Sequence, residues 1–127
     1  MNRLIVLFLF LFFSVSGFSQ FDWIGTFDNN WNDIQNWAGN AVPTSNDNVL
    51  ITSGSPNSPI IIDSVSCKNL TIPPGGNVTI TTGVFEAFGS VDNQGSIVIG
   101  TGNFISNVSF DATFGGIDFN GDGELII

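Results

Sequence analysis

The sequence predicts an all-β protein in which short parallel strands stack as a β-solenoid behind an N-terminal cap. Three observations support this fold class: a phrase that recurs about every twenty residues, short apolar runs separated by turn-forming residues, and the lack of a helical period of useful length. A repeat of this length is typical of solenoids, whose successive turns, here called rungs, bury a continuous core only when they stack.

The repeated phrase is clearest at residues 95–102, which read G-S-I-V-I-G-T-G. Residues 76–83 (G-N-V-T-I-T-T-G) precede it, and residues 116–123 (G-I-D-F-N-G-D-G) follow it with one residue lost before the strand and one gained in the turn. Alternate strand residues share a face, so the phrase predicts a column of stacked, inward-facing side chains. This column is expected to contain Val78, Ile80, Ile97, Ile99, Ile117 and Phe119.

Apolar runs recur beyond residue 49 with Gly, Pro, Asn or Asp between them. Such runs indicate strands bounded by turns. Two runs fit each repeat, which predicts more than one strand in a rung. An antiparallel sandwich has strands of similar length, but it does not require the same phrase at a fixed repeat.

The N-terminus has the features of a secretory signal peptide, predicted to occupy residues 1–19. Arg3 precedes an apolar run at residues 4–13, and Gly17 and Ser19 match the small residues that signal peptidase requires. The run is too short to anchor the chain in a bilayer. We therefore expect a secreted protein or one on the outer cell surface, with no membrane insertion after cleavage.

Charge excludes nucleic acid and anionic lipid as partners. Once the signal peptide is removed, Lys68 is the only basic residue against 11 acidic ones, which gives a formal charge of −10. Such a balance repels polyanions and keeps a β-rich protein soluble. The expected partner is instead an extracellular glycan or a surface protein.

Cys67 is the only cysteine in the chain, so no disulfide framework forms. It stands in S-V-S-C-K-N-L-T-I, close to a predicted strand. We interpret Cys67 as a small buried hydrophobic residue, because cysteine is among the most buried residue types.

Residues 20–48 are predicted to form the cap, and residues 49–127 the rungs. All three tryptophans, Trp23, Trp31 and Trp37, lie in the cap region. Large aromatic rings can close the end of a β-stack that would otherwise expose its core and its backbone edge. The same rings are candidate carbohydrate contacts, since aromatic faces match the apolar side of a pyranose. The packed cap is the favoured interpretation.

Four motifs of this sequence resemble those of known proteins: W-x-G, W-N-D-x-x-N-W, V-P-T-x-x-D-N-V-x-I and, after them, C-K-N-L-T-I. They resemble the N-terminal module of large secreted β-helical surface proteins of Gram-negative bacteria. More distantly, they are similar to the eight-glycine domain of extracellular animal proteins. The resemblance covers most of the chain after residue 23, and it implies a right-handed parallel β-helix with a Trp-rich cap.

A calcium loop is the one candidate metal site. Asp118, Asn120 and Asp122, with Gly123 next, match the first six positions of a D-x-[DN]-x-[DN]-G loop. The bidentate Glu of such a loop would fall beyond residue 127. The repeat instead places Asp118 on the outer face of a strand and Asn120 and Asp122 in the following turn. No other cofactor is expected.

The chain has few side chains that are suited to catalysis. The chain has no His and no Tyr, which excludes a Ser-His-Asp triad, a Cys-His pair and a His-ligated zinc site. We therefore expect a non-enzymatic adhesin or structural scaffold. Two alternatives stay open: a carbohydrate-binding module, and the non-catalytic N-terminal part of a polysaccharide-active enzyme. The sequence stops within a predicted strand, so a truncated chain with further rungs is the simpler expectation.

Overall fold

The computed structural model describes residues 19–127, and these form a β-solenoid. The predicted signal peptide, apart from Ser19, lies outside the described residues. The strands are β1 (Gln20–Trp23), β2 (Asn48–Ile51), β3 (Ile60–Ile61), β4 (Val65–Cys67), β5 (Leu70–Ile72), β6 (Asn77–Ile80), β7 (Val84–Ala87), β8 (Ser90–Asn93), β9 (Ser96–Ile99), β10 (Asn103–Ser106), β11 (Ser109–Asp111), β12 (Gly116–Phe119) and β13 (Glu124–Ile126). A 3-10 helix at Ile34–Asn36 lies in the cap. Among these residues, no helix is long and apolar enough to cross a membrane.

Three parallel sheets form the sides of the solenoid. Sheet A has the order β1-β2-β5-β8-β11, sheet B the order β3-β6-β9-β12, and sheet C the order β4-β7-β10-β13. Each rung therefore contributes one strand to each sheet, and β2 to β13 make about four rungs. The prediction of parallel, stacked rungs is confirmed. The prediction of more than one strand in a rung is also confirmed: each rung has three strands, because the chain turns three corners.

The predicted inward column exists in the predicted register. Val78 pairs with Ile97, which pairs with Ile117, and the Ile80, Ile99 and Phe119 positions follow two residues later. The β6 and β9 members of the column are buried. On the last rung, however, Ile117 is only half-buried and Phe119 is 50% exposed. Alternation along the strand thus predicts which face of the sheet a side chain occupies. Its burial also requires a further rung to cover it.

The repeated glycines mark corners where one rung lies directly on the next. A Cβ on Gly95 would overlap the carbonyl oxygen of Gly76, and a Cβ on Gly102 would lie 2.6 Å from that of Gly83. The register pairs Ser96 with Gly116, so the equivalent of Gly95 on the last rung is Gly115, not Gly116 as the repeated phrase suggested. Close approach of two backbones is one of the standard reasons for a glycine.

An aromatic column runs through the core from the cap toward the last rung. Trp31 meets Phe85 edge-on at a centroid distance of 5.0 Å, and Phe85 stacks on Phe104 at 5.1 Å with an angle of 6° between the planes. Phe104 then meets Phe110 edge-on at 5.7 Å. Offset-stacked and edge-to-face pairs contribute about 0.5–1.5 kcal/mol each beyond area burial.

The cap covers strand edges at the first end of the solenoid. The Ala38 N–H donates to the carbonyl of Asp22 in β1 at 3.0 Å, and the Ile60 N–H in β3 donates to the carbonyl of Asn29 at 2.9 Å. These bonds occupy backbone groups that an uncovered edge would leave for another chain.

Gly95→Ala tests the close approach of the rungs, with Gly116→Ala as the matched control. The added methyl at residue 95 overlaps backbone of the rung below, so we expect a loss of about 1–3 kcal/mol in the free energy of unfolding. A Cβ at Gly116 meets nothing within 4 Å, so this variant should stay within about 0.5 kcal/mol of the parent. Urea denaturation followed by circular dichroism measures both. Equal stability of the two variants would contradict the packing described here.

Candidate interaction surface at the open end

The three tryptophans lie in the core of the cap. Trp23 is 0% exposed, and Trp31 and Trp37 are 1% exposed. Trp31 and Trp37 meet edge-on at a centroid distance of 4.7 Å, and Trp23 stacks on Trp31 at 6.2 Å. Their contacts are with protein, so the ring faces that the sequence offered as carbohydrate contacts are turned away from solvent.

Hydrogen bonds fix the indole groups in the cap. The Trp37 Nε1–H donates to the carbonyl of Trp31 at 2.7 Å, and the Trp23 Nε1–H donates to the carbonyl of Asn57 at 2.8 Å. The second bond ties the cap to the loop that leads into β3. Both indole donors are therefore satisfied, as burial of a polar group requires.

Asn36 organises the cap loop, and the sequence analysis did not single it out. Its side chain is fully buried. Its Oδ1 accepts the N–H groups of Phe27 and Asp28 at 3.0 and 2.9 Å, and its Nδ2 donates to the Asp28 carboxylate at 2.6 Å and to the Asn30 carbonyl at 3.0 Å. The only signal in the sequence is the density of Asn and Asp between the tryptophans, which is typical of loops braced by their own side chains.

Cys67 is a buried free thiol on β4. Burial raises the pKa of Cys67 to about 12, so the thiol stays protonated at neutral pH. Because the thiolate is the nucleophile and the metal ligand, Cys67 is not placed for such chemistry. The interpretation of Cys67 as a buried hydrophobic residue is confirmed.

The candidate calcium ligands follow the path of the last rung. Asp118 lies in β12 in register with Val98, on the outer face of sheet B. The Asn120 N–H donates to the carbonyl of Ile99 at 3.0 Å, and Asp122 lies in the next corner, just before Gly123. Within residues 19–127, no group of three or more His, Cys, Asp or Glu is placed to hold a metal ion. Calcium binding by Asp118, Asn120 and Asp122 stays a prediction.

The surface formed by β11, β12 and β13 is here called the open end. Each of these strands is the last in its sheet, so each presents one backbone edge away from the solenoid. The three edges belong to one rung and run in the same sense as the strands beneath them. The open end is therefore a three-sided set of unpaired parallel edges within the described chain.

Side chains that are core residues in the other rungs are uncovered at the open end. Phe119 is 50% exposed, whereas its register partner Ile99 is fully buried. Phe110, Ile117 and Leu125, which occupy the other inward positions of the last rung, are only half-buried. These four side chains form an apolar floor between the three free strand edges. Further β-structure can cover such a surface.

Four acidic side chains surround this floor: Asp111, Asp118, Asp122 and Glu124, all exposed. Asp111 Oδ1 accepts hydrogen bonds from the Thr113 hydroxyl and, at 2.8 Å, from the Thr113 N–H. These bonds hold the pKa of Asp111 below its ordinary value. The rim of the open end is therefore negatively charged at neutral pH.

Comparison with known proteins places the chain in a family. A family model with the description "Domain of unknown function (DUF8693)" matches residues 22–105, which is more than half of the chain. The chain belongs to this family. The matched range includes most of the cap and the strands up to β10, and the open end lies beyond it. No curated protein and no solved structure matches the chain. The resemblance to bacterial surface proteins and to the eight-glycine domain stays an interpretation of the motif residues.

Trp31→Ala separates a packing role of the cap from a recognition role, with Phe114→Ala as the control. Truncation of the buried Trp31 ring should lower the free energy of unfolding by about 3–5 kcal/mol. Phe114 is 82% exposed, so its truncation should change stability by no more than about 0.5 kcal/mol. Thermal and chemical denaturation measure the difference. A Trp31→Ala variant as stable as the parent would contradict the packed cap.

Proposed function

We propose that this protein is a non-enzymatic β-solenoid scaffold or adhesin, secreted or held at the outer cell surface, whose open end stacks on further parallel β-structure. The observation that carries the proposal is the difference between the two ends. The cap pairs with the edges of β1 and β3, whereas β11, β12 and β13 offer free edges around uncovered apolar residues. A scaffold built by stacking needs one end that stops growth and one that supports it.

The covering segment is a further rung with alternating apolar residues, paired in parallel with the last one. In each of the three sheets, inward-facing residues of successive rungs pair in register and form a column. The inward residues of β11, β12 and β13 continue these columns. A segment in the same phase would bury Phe110, Ile117, Phe119 and Leu125 as their counterparts are buried. A shift by one residue would instead turn its apolar side chains outward.

A second copy of this chain fits the open end poorly. Its own open end would bring the same four acidic side chains opposite this rim, and like charges directly opposite one another are destabilising. At its other end, the cap already occupies the edges of β1 and β3, and its tryptophans fill the interior. The fitting segment therefore carries neutral or basic residues at the outward positions that meet Asp111, Asp118 and Glu124.

A carbohydrate-binding function is the second candidate. Its support comes from a groove on the outer face of sheet C, lined by Ser66, Glu86 and Phe88 among others, rather than from the buried tryptophans. That groove lies on a side of the solenoid, so ligand binding there is compatible with stacking at the open end.

A chain extended after Ile127 by a copy of residues 88–106, with the copied Asp92 changed to asparagine so that no carboxylate faces Asp111, tests the stacking role. Residues 84–87, 103–106 and 124–127 are equivalent by register, so the copy continues the repeat in phase. The added rung covers the exposed apolar floor, and we expect the melting temperature of the mature protein to rise by about 4 °C or more. Circular dichroism measures both the transition and the added β-signal.

The control is the same extension with serine at its inward positions, which are copied from Val91, Ile97, Ile99 and Phe104. This rung has the same length and the same turns but no apolar column, so it should leave the melting temperature unchanged. If the two extended chains melt together, the open end does not accept a further rung, and the stacking role is wrong.

Secretion has its own test. The predicted cleavage site lies after Ser19, so expression of the full chain in a bacterium should yield extracytoplasmic protein that starts at Gln20. Cell fractionation and intact-mass measurement check this, with Arg3→Glu as a variant that weakens the positive n-region. An unprocessed chain in the cytoplasm for both proteins would contradict secretion.

A further inference from the structure

A groove lies on the outer face of sheet C near the cap, away from the open end. Its volume is about 440 Å³, within the range of about 300–1,000 Å³ that small-molecule sites occupy. The floor comes from β4 and β7, where Ser66 and Glu86 are neighbours in register. Ser45, Ser64, Val65, Val84 and Phe88 complete the lining.

The lining combines hydroxyl groups, one carboxylate and one accessible aromatic ring. Ser45, Ser64 and Ser66 can each donate and accept a hydrogen bond, and the Glu86 carboxylate accepts. Phe88 is 46% exposed, so its ring remains available to a ligand. Among residues 19–127, no cationic side chain lines the groove, and the chain as a whole is acidic. These groups favour a neutral ligand rich in hydroxyls with an apolar face.

The groove is held in place by the rungs. The Phe88 N–H donates to the Cys67 carbonyl at 3.0 Å, and the next N–H, that of Gly89, donates to the Lys68 carbonyl at 2.7 Å. Glu86 Oε1 accepts from Asn107 Nδ2 at 2.9 Å, which orients the carboxylate. A backbone held by neighbouring rungs and a carboxylate that is already oriented lose little freedom when a ligand binds.

The wall that carries Ser45 is also braced. Asp47 Oδ2 accepts from the Thr44 N–H at 2.8 Å and from the Thr44 hydroxyl at 3.0 Å, which closes a turn around Ser45. The Lys68 N–H, at the end of β4, donates to the Asp47 carbonyl at 2.7 Å. The turn is thereby tied to the strand that forms the groove floor.

We propose that this groove is a binding site for a neutral saccharide. The Phe88 ring packs against the apolar C–H face of a pyranose, and the serine hydroxyls and the Glu86 carboxylate bond its hydroxyl groups. An extended peptide would pair with the edge of β4, the terminal strand of sheet C, rather than with the hydroxyl and carboxylate groups of the lining, and the test includes that outcome.

The test is a titration of the mature protein, followed by amide chemical shifts in NMR. The probes are neutral linear hexasaccharides of β-1,4-glucose, α-1,4-glucose, β-1,4-mannose and β-1,4-xylose, with hexagalacturonate as the anionic comparison. We expect at least one neutral hexasaccharide to shift the amides around Ser64, Ser66 and Phe88, and the anionic one to shift none of them. Phe88→Ala should weaken that binding about tenfold, and Glu86→Gln should also weaken it.

Phe114→Ala is the matched control, because it removes an exposed Phe at the other end of the solenoid and should leave binding unchanged. All three variants should melt within a few degrees of the parent, which separates lost binding from lost fold. The proposal is overturned if no neutral hexasaccharide binds at millimolar concentration, if Phe88→Ala binds like the parent, or if a peptide of residues 103–111 shifts these amides and the saccharides do not. None of these results depends on whether the open end accepts a rung.

Discussion

Parallel stacking of rungs is the constraint on which the rest of this structure depends. Every strand in the middle of a sheet pairs with the strands above and below it, so each backbone is held by residues about twenty positions away in the sequence. The same stacking forces rungs into contact at the corners, where Gly83, Gly95 and Gly102 leave room for carbonyl groups of the neighbouring rung. It also confines the core to a narrow interior, which an aromatic column from Trp31 to Phe110 fills.

The two ends of the solenoid differ in how far their core residues and strand edges are covered. At the first end, buried tryptophans fill the interior and a loop braced by Asn36 pairs with strand edges. At the other, Phe119 occupies a core position but remains half exposed. Acidic side chains around this position disfavour contact between two identical open ends. The two ends thus support a scaffold that grows in one direction, which is the basis of the proposed function.

The sides of the solenoid offer a surface that is independent of its ends. Outward positions tolerate many residue types, because their side chains face solvent and contribute little to the core. On sheet C, these positions bring Ser66 and Glu86 together beside Phe88, although they come from different rungs. An array of strands can hold such a group of side chains in place, so the proposed saccharide site and the proposed stacking role use separate surfaces of the solenoid.

The sequence by itself determined the fold class, the inward column of alternate residues, the burial of Cys67 and the concentration of tryptophan in the cap region. These follow from local periodicity, since a side-chain period of two assigns faces within a strand and a repeat near twenty predicts stacking. Only the tertiary structure decided that a rung has three strands, that Gly115 rather than Gly116 is the close-packed glycine, and that Asn36 braces the cap. It alone joined Ser45, Ser66 and Phe88 in a groove. Those features depend on where the chain turns its corners and on contacts between distant residues, and the period of a strand carries no information about either.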